Sequence, residues 1–401
     1  MKKVLLIFIA LFFVFCPTIG KSSAATYAQE SVSSESSPLS SDDIFEEVEH
    51  QLEDLDFSSL DEMLSAFSKG QLEIFGGSNF LEKIKKLITG DFDNGNSLWV
   101  NIVNLFFNNF LGLIPMISLI IAISLLGNML QGLKPSTNGK SISNIVNFVT
   151  YGIVVVLVLS IVVKMITLTS NTLFTIKNQM DAIFPILLTF LTAIGGSVSA
   201  SVYQPAMALL SGMIINIFTY VLLPLFIFSV SMSIVSNLSN SVKLDKFTSF
   251  FNSTFKWIIG LIFTIFTSFI SIQGLTAGSV DGISMKTMKY ALKSYIPMLG
   301  GYISDGMGLV IASSNLIKNV VGASGLFMLL ATVISPLLEL VLFMLALKLI
   351  AGIIEPLGNK QVASFVSMIS KSVVLLIVIL VGVSFIYFIM LGLVMCSANI
   401  L

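Results

Sequence analysis

Few residues of this 401-residue chain could do chemistry, and they are scattered. Glu339 is the most conspicuous, an acid set among Pro336, Leu337, Leu338, Leu340 and Val341. A charged side chain deep in a bilayer costs about 2.5–3.5 kcal/mol on insertion scales, so it calls for a partner or water. Two readings of Glu339 stand. Either it faces a polar interface or conduit, or it is protonated and hydrogen-bonded to a neighbouring helix. Lys348 lies half a helical turn out of phase with it and is not its same-helix partner. Gly139-Lys140-Ser141 resembles the tail of a phosphate-binding loop, but position 134 is Lys where that loop needs Gly, and no strand precedes it. His50, the one histidine, sits among acids and reads as a surface residue. Cys16 and Cys396 form neither a disulfide framework nor a metal cluster. No paired carboxylates, histidine relay or nucleophile constellation is visible. The expectation is a chain that is not an enzyme and uses no cofactor or metal.

The elements that carry these residues belong in a membrane. The chain is 55% hydrophobic and only 11% charged, and its mean hydropathy is +0.96. A soluble domain carries about 25% charged residues, so water is excluded as the solvent for most of this length. The net charge of −1 hides a division. Residues 1–93 hold 16 acids against seven Lys, and residues 94–401 hold 14 Lys against six acids. There is no Arg, and the Lys are dispersed, so no nucleic-acid surface is expected.

Residues 1–25 read as a secretory signal peptide. Lys2-Lys3 precede the apolar run Val4 to Phe15, and Ser23-Ala24-Ala25 supplies a cleavage site; an uncleaved anchor is the alternative. Residues 26–96 then form an acidic extracytoplasmic head. Its start, rich in Ser and Glu, predicts disorder. Three helical patterns follow: Ile44 to Leu55; a stretch opened by a Ser59/Glu62 capping box and closed by Gly70; and Phe80 to Ile88 after Ser78. The head reads equally as a solvated tether or a docking arm for a partner domain. Residues 97–110, with Trp99, Asn101, Asn104 and Asn108, predict a helix lying at the membrane surface.

A span needs about 20 residues. In the multi-pass region 111–401, six segments qualify: 111–131, 145–169, 205–236, 257–277, 323–353 and 372–396. Residues 182–194, with Pro185, and 295–317, with Pro297, Gly300, Gly301 and Asp305, are expected to be broken re-entrant or interfacial segments. A shift of 112 aligns Pro185 with Pro297 and Pro224-Leu225 with Pro336-Leu337, suggesting repeats over about 145–250 and 257–371. The fold class is therefore all-α and polytopic.

One region is specific. Ser294-Tyr-Ile-Pro-Met-Leu-Gly-Gly-Tyr-Ile-Ser-Asp-Gly306, followed by Ser314-Asn-Leu-Ile-Lys-Asn-Val-Val-Gly322, resembles the signature region of the stage III sporulation protein AE family. The leader, charged head and multi-pass body agree with it. The resemblance implies a mother-cell membrane component of the channel complex that links mother cell and forespore. Its implied partners are membrane and ring-forming subunits, an ATPase and a forespore-side protein, besides membrane lipid. The implied role is to maintain the engulfed forespore and permit its late gene expression. It carries no catalytic residues. Pro297, Gly300, Gly301, Asp305, Lys318, Asn319 and Gly322 become candidates for a structural or conduit-lining element, with Pro185 and Glu339 added from the residues themselves. The alternative reading is a secondary transporter of a small molecule.

Overall fold

The computed structural model describes residues 41–53, 55–76, 79–89, 95–132, 139–238, 246–270, 300–357 and 359–397. The signal peptide, the Ser/Glu-rich start of the head and Pro297 lie outside them. The described residues contain helices and no strand. Four short helices build the head: α1 (Ser41–Glu53), α2 (Ser58–Ser65), α3 (Lys69–Phe75) and α4 (Phe80–Thr89). The body follows as α5 (Gly95–Gly132), α6 (Gly139–Ala193), α7 (Ser197–Leu238), α8 (Lys246–Ile270), α9 (Gly300–Ile354) and α10 (Lys360–Cys396). Among the described residues, six helices are long and apolar enough to cross a membrane, as expected of an all-α polytopic membrane protein.

Within the two segments expected to be broken, residues 182–193 and 300–317 are helical instead, and 295–299 lie outside the described residues. Pro185 stands inside α6, which is 55 residues long. Residues 300–317, including Gly300, Gly301 and Asp305, are the first part of α9, also 55 residues long. Proline removes one backbone hydrogen bond and strains the preceding turn. In α6 that local cost is offset by contacts of the side chains just before Pro185. Gln179 bonds Thr332 of α9, and Phe184 stacks edge-on with Tyr387 of α10. Gly300 and Gly301 stand at the helix start, where a weak propensity matters least. Residues 97–110 are helical and lead within α5 into the first span, as expected.

At 1.5 Å per residue, α6 and α9 are each about 80 Å long, more than twice the roughly 30 Å of hydrocarbon. Half of each rod therefore stands outside the membrane. On α6, Ile145, Phe148, Val149, Ile153, Val156 and Val163 are all apolar and exposed. Beyond them the exposed positions are Lys164, Thr167, Asn171 and Phe174. On α5 the exposed apolar side chains run from Val100 to Leu130, with exposed Asn104 and Asn108 among the first of them. The α6 run is about 27 Å long and the α5 run about 45 Å.

One end of the bundle gathers the inter-helix connections. Asn128 of α5 donates to the Leu357 carbonyl just after α9, and Gln361 of α10 donates to the Asn237 carbonyl of α7 at 2.5 Å. The other end carries the head. The two π-helical turns of α7, Leu209–Ile214 and Phe218–Leu222, precede Pro224 and let its chain stay helical.

The head is packed onto this chain's own body and is not a solvated tether. Val48, Leu52, Phe57, Leu60, Leu64, Ile74, Phe75, Phe80 and Ile84 are buried in the core shared with the long helices. The capping box falls at Ser68 and Gln71, opening α3, and not at Ser59/Glu62. Gly70 lies inside α3, where Leu105 of α5 passes too close for a side chain, and Gly76 (φ 78°) ends that helix. Asp61 of α2 accepts the Phe80 N–H of α4 at 2.7 Å.

The polar seam along helix α9

Three of the sequence candidates come together on one face of α9. Lys318, Asn319 and Gly322 recur at helical spacing and, with Asn315, turn toward the C-terminal end of α10. Lys318 is fully buried. Its Nζ donates to the Ser397 carbonyl at 2.6 Å, and the Ser397 hydroxyl lies 2.8 Å from the Tyr203 hydroxyl of α7. One buried ammonium thus ties α9 to the end of α10, which is tied in turn to α7. Gly322 admits the Met395 side chain, whose Cγ and Sδ would lie 2.5 and 2.7 Å from a Cβ at that position. The Oδ1 atoms of Asn315 and Asn319 and the Oγ of Ser324 are buried without a hydrogen-bond partner among the described residues.

The seam continues along α9 toward the other end. Gln51 of α1 donates to Ser313 Oγ at 3.0 Å and accepts from Ser314 Oγ at 3.2 Å. Lys83 of α4 places its Nζ 4.2 Å from the Phe327 ring centroid. Gln71 of α3 donates to the Ala331 carbonyl at 3.3 Å. Gln179 of α6, fully buried, donates to Thr332 Oγ1 at 2.5 Å. The head and α6 thus grip the stretch of α9 that rises beyond the exposed apolar belt.

Glu339 is separate from this cluster, about 30 Å down the helix from Lys318. Its partner is Lys164 of α6, at 2.8 Å, with side-chain exposures of 20% for Glu339 and 64% for Lys164. Lys164 also lies 5.3 Å from the Phe343 ring centroid. On α6 the pair lies between exposed Val163 and exposed Thr167. Pro185 lies exposed on α6, away from the seam. Gly300, Gly301 and Asp305 contribute backbone to the first turns of α9.

Sequence reasoning missed Gln51, Gln179, Lys164, Tyr203 and Met395. Only Lys164 left a signal, as a lone charge in an apolar run matching a lone opposite charge on another. Among the described residues, no three His, Cys, Asp or Glu side chains gather to hold a metal. The seam's chemistry is that of attachment: an ammonium on a carbonyl, amides bridging helices, and a glycine notch.

Comparison with known proteins agrees with this whole-body likeness. No solved structure matches the chain. The stage III sporulation protein AE of Bacillus subtilis (strain 168) is 27% identical over 321 residues, covering 79% of this chain and 80% of that protein. The family model described as stage III sporulation protein AE matches residues 78–398, from the end of the head through the seam to the end of α10, so the chain belongs to that family.

Proposed function

We propose that this sporulation protein is a non-enzymatic membrane subunit of the channel complex joining mother cell and forespore. It sits in the mother-cell membrane with its head on the extracytoplasmic side, and it supports forespore maintenance and late gene expression. The signal sequence ahead of the head supports that orientation. The observation that carries the reading is the docked head. Gln51, Gln71 and Lys83 fasten it to the half of α9 that stands beyond the apolar belt. This makes a stiff platform outside the bilayer on which ring-forming and forespore-side subunits could assemble. Energy for transport would come from a separate ATPase.

The test is assembly in sporulating cells. Without this chain, the remaining channel subunits should no longer co-purify, and a late forespore reporter should fall while vegetative growth is unchanged. Co-purification that persists without it overturns the reading. A secondary transporter is the second reading, favoured by the Lys164–Glu339 pair. The purified chain moving a solute by itself across vesicle membranes would establish that alternative instead.

A further inference from the structure

On α5 and α6, exposed apolar side chains start close to the connection end, at Leu130 and Ile145. On α9 exposed Leu345, Leu349 and Ile353 stand at that level too, but there lysines are set among them and continue onto α10. Lys348, Lys360, Ser364 and Lys371 are exposed there. Lys371 lies about 16 Å along α10 from its first residue, and Lys348 lies about 9 Å before the end of α9. The hydrogen bonds from Asn128 to Leu357 and from Gln361 to Asn237 hold the ends of α5, α7, α9 and α10 at a common level. Both lysines therefore fall within the height that α5 and α6 give to lipid.

They also point outward. Lys348 is half a turn out of phase with Glu339, which faces α6. Lys371 is turned away from Phe365, which packs on Tyr151 of α6. None of Lys348, Lys360 and Lys371 has an ion-pair partner among the described residues. Glu355 is the exposed acid at that end, and exposed Lys246 and Lys256 of α8 add further positive charge. A lysine facing hydrocarbon carries a cost of a few kcal/mol unless an anion or water reaches it. Here a path exists, since Lys360, Ser364, Ser367 and Lys371 follow one another at helical spacing along one face of α10.

We propose that this flank is a binding site for anionic phospholipid, whose headgroup phosphate is drawn inward along α10 to Lys371 and Lys348. Ammonium groups serve as point charges for phosphate, and the serine hydroxyls add donors. The lysine stems reach toward the headgroup while their methylenes stay on apolar surface.

The test uses the purified full chain in nanodiscs of equal phosphatidylcholine and phosphatidylglycerol, released for native mass spectrometry. The wild type should retain phosphatidylglycerol in preference to phosphatidylcholine. Lys348→Gln/Lys371→Gln should lower that preference by about tenfold, Lys371→Arg should keep it, and Lys256→Gln on α8 should leave it unchanged. If the double variant fails to elute as a monodisperse helical protein, the two single variants are compared, each expected to lose part of the preference. The proposal is overturned by equal retention of the two lipids, by a preference unchanged in the lysine variants, or by an equal loss in Lys256→Gln. It is also overturned if inorganic phosphate displaces the lipid, or if a photo-crosslinker at Ser367 in sporulating membranes captures protein instead of lipid.

Discussion

The contact between Gly322 and Met395 can be made to change sign. A Cβ at position 322 would lie 2.5 Å from Met395 Cγ and 2.7 Å from its Sδ. Gly322→Ala therefore forces the end of α10 or the Met395 rotamer to move, an overpacking cost of about 1–3 kcal/mol. Against this, alanine is favoured over glycine inside a helix by about 1 kcal/mol. The net expectation is a destabilisation of about 1 kcal/mol, within a range of roughly 0–2. In a Met395→Ala background the obstructing atoms are gone and only the helix preference remains. Gly322→Ala should then stabilise by about 1 kcal/mol. Unfolding of the four proteins of this cycle can be followed in one detergent, and the coupling energy read directly. Equal effects of Gly322→Ala in both backgrounds would refute the argument, because the glycine would then be required for something other than Met395. Gly322→Leu should fail in either background, since Met395→Ala does not open space for a branched side chain beside the Lys318–Ser397 bond.

Other contacts carry their own expectations. Thr332→Val removes the acceptor of Gln179, whose Oε1 already lacks a partner, and should cost about 1–3 kcal/mol in unfolding measurements. Adding Gln179→Leu removes the orphaned amide and should recover most of that loss. Lys164→Ala leaves Glu339 without its cation. Because Lys164 is largely exposed, the loss should be about 1–2 kcal/mol, less than for a fully buried pair, and Lys164→Ala/Glu339→Gln should be more stable than Lys164→Ala alone. Asp61→Ala uncaps the N-terminus of α4 at Phe80, and should raise proteolytic nicking of the head while the long helices stay protected; equal nicking of both would refute a local role.

Length was legible in the sequence, and height was not. Apolar runs of about 20 residues located six crossings because each residue was weighed against one solvent. One assumption failed at 182–193 and again at 300–317, that proline and glycine mark breaks. It follows from local propensity, which tertiary packing overrides. Gln179, Ile183 and Phe184 are held by α9 and α10, so α6 passes Pro185 intact, and its apolar side chains there face protein. Glu339, read from sequence as facing either a polar interface or a neighbouring helix, finds its cation on α6, from a position 175 residues away. The Lys318-to-Gly322 cluster was recognisable as a motif because its members lie within two turns of one helix. What the motif holds, the end of α10, is set by a rod whose length exceeds the membrane it crosses. A family signature that pins the tip of one such rod to another is what a platform outside the bilayer requires, whereas a conduit within it would concentrate its constraints at the height of Leu111 to Leu130.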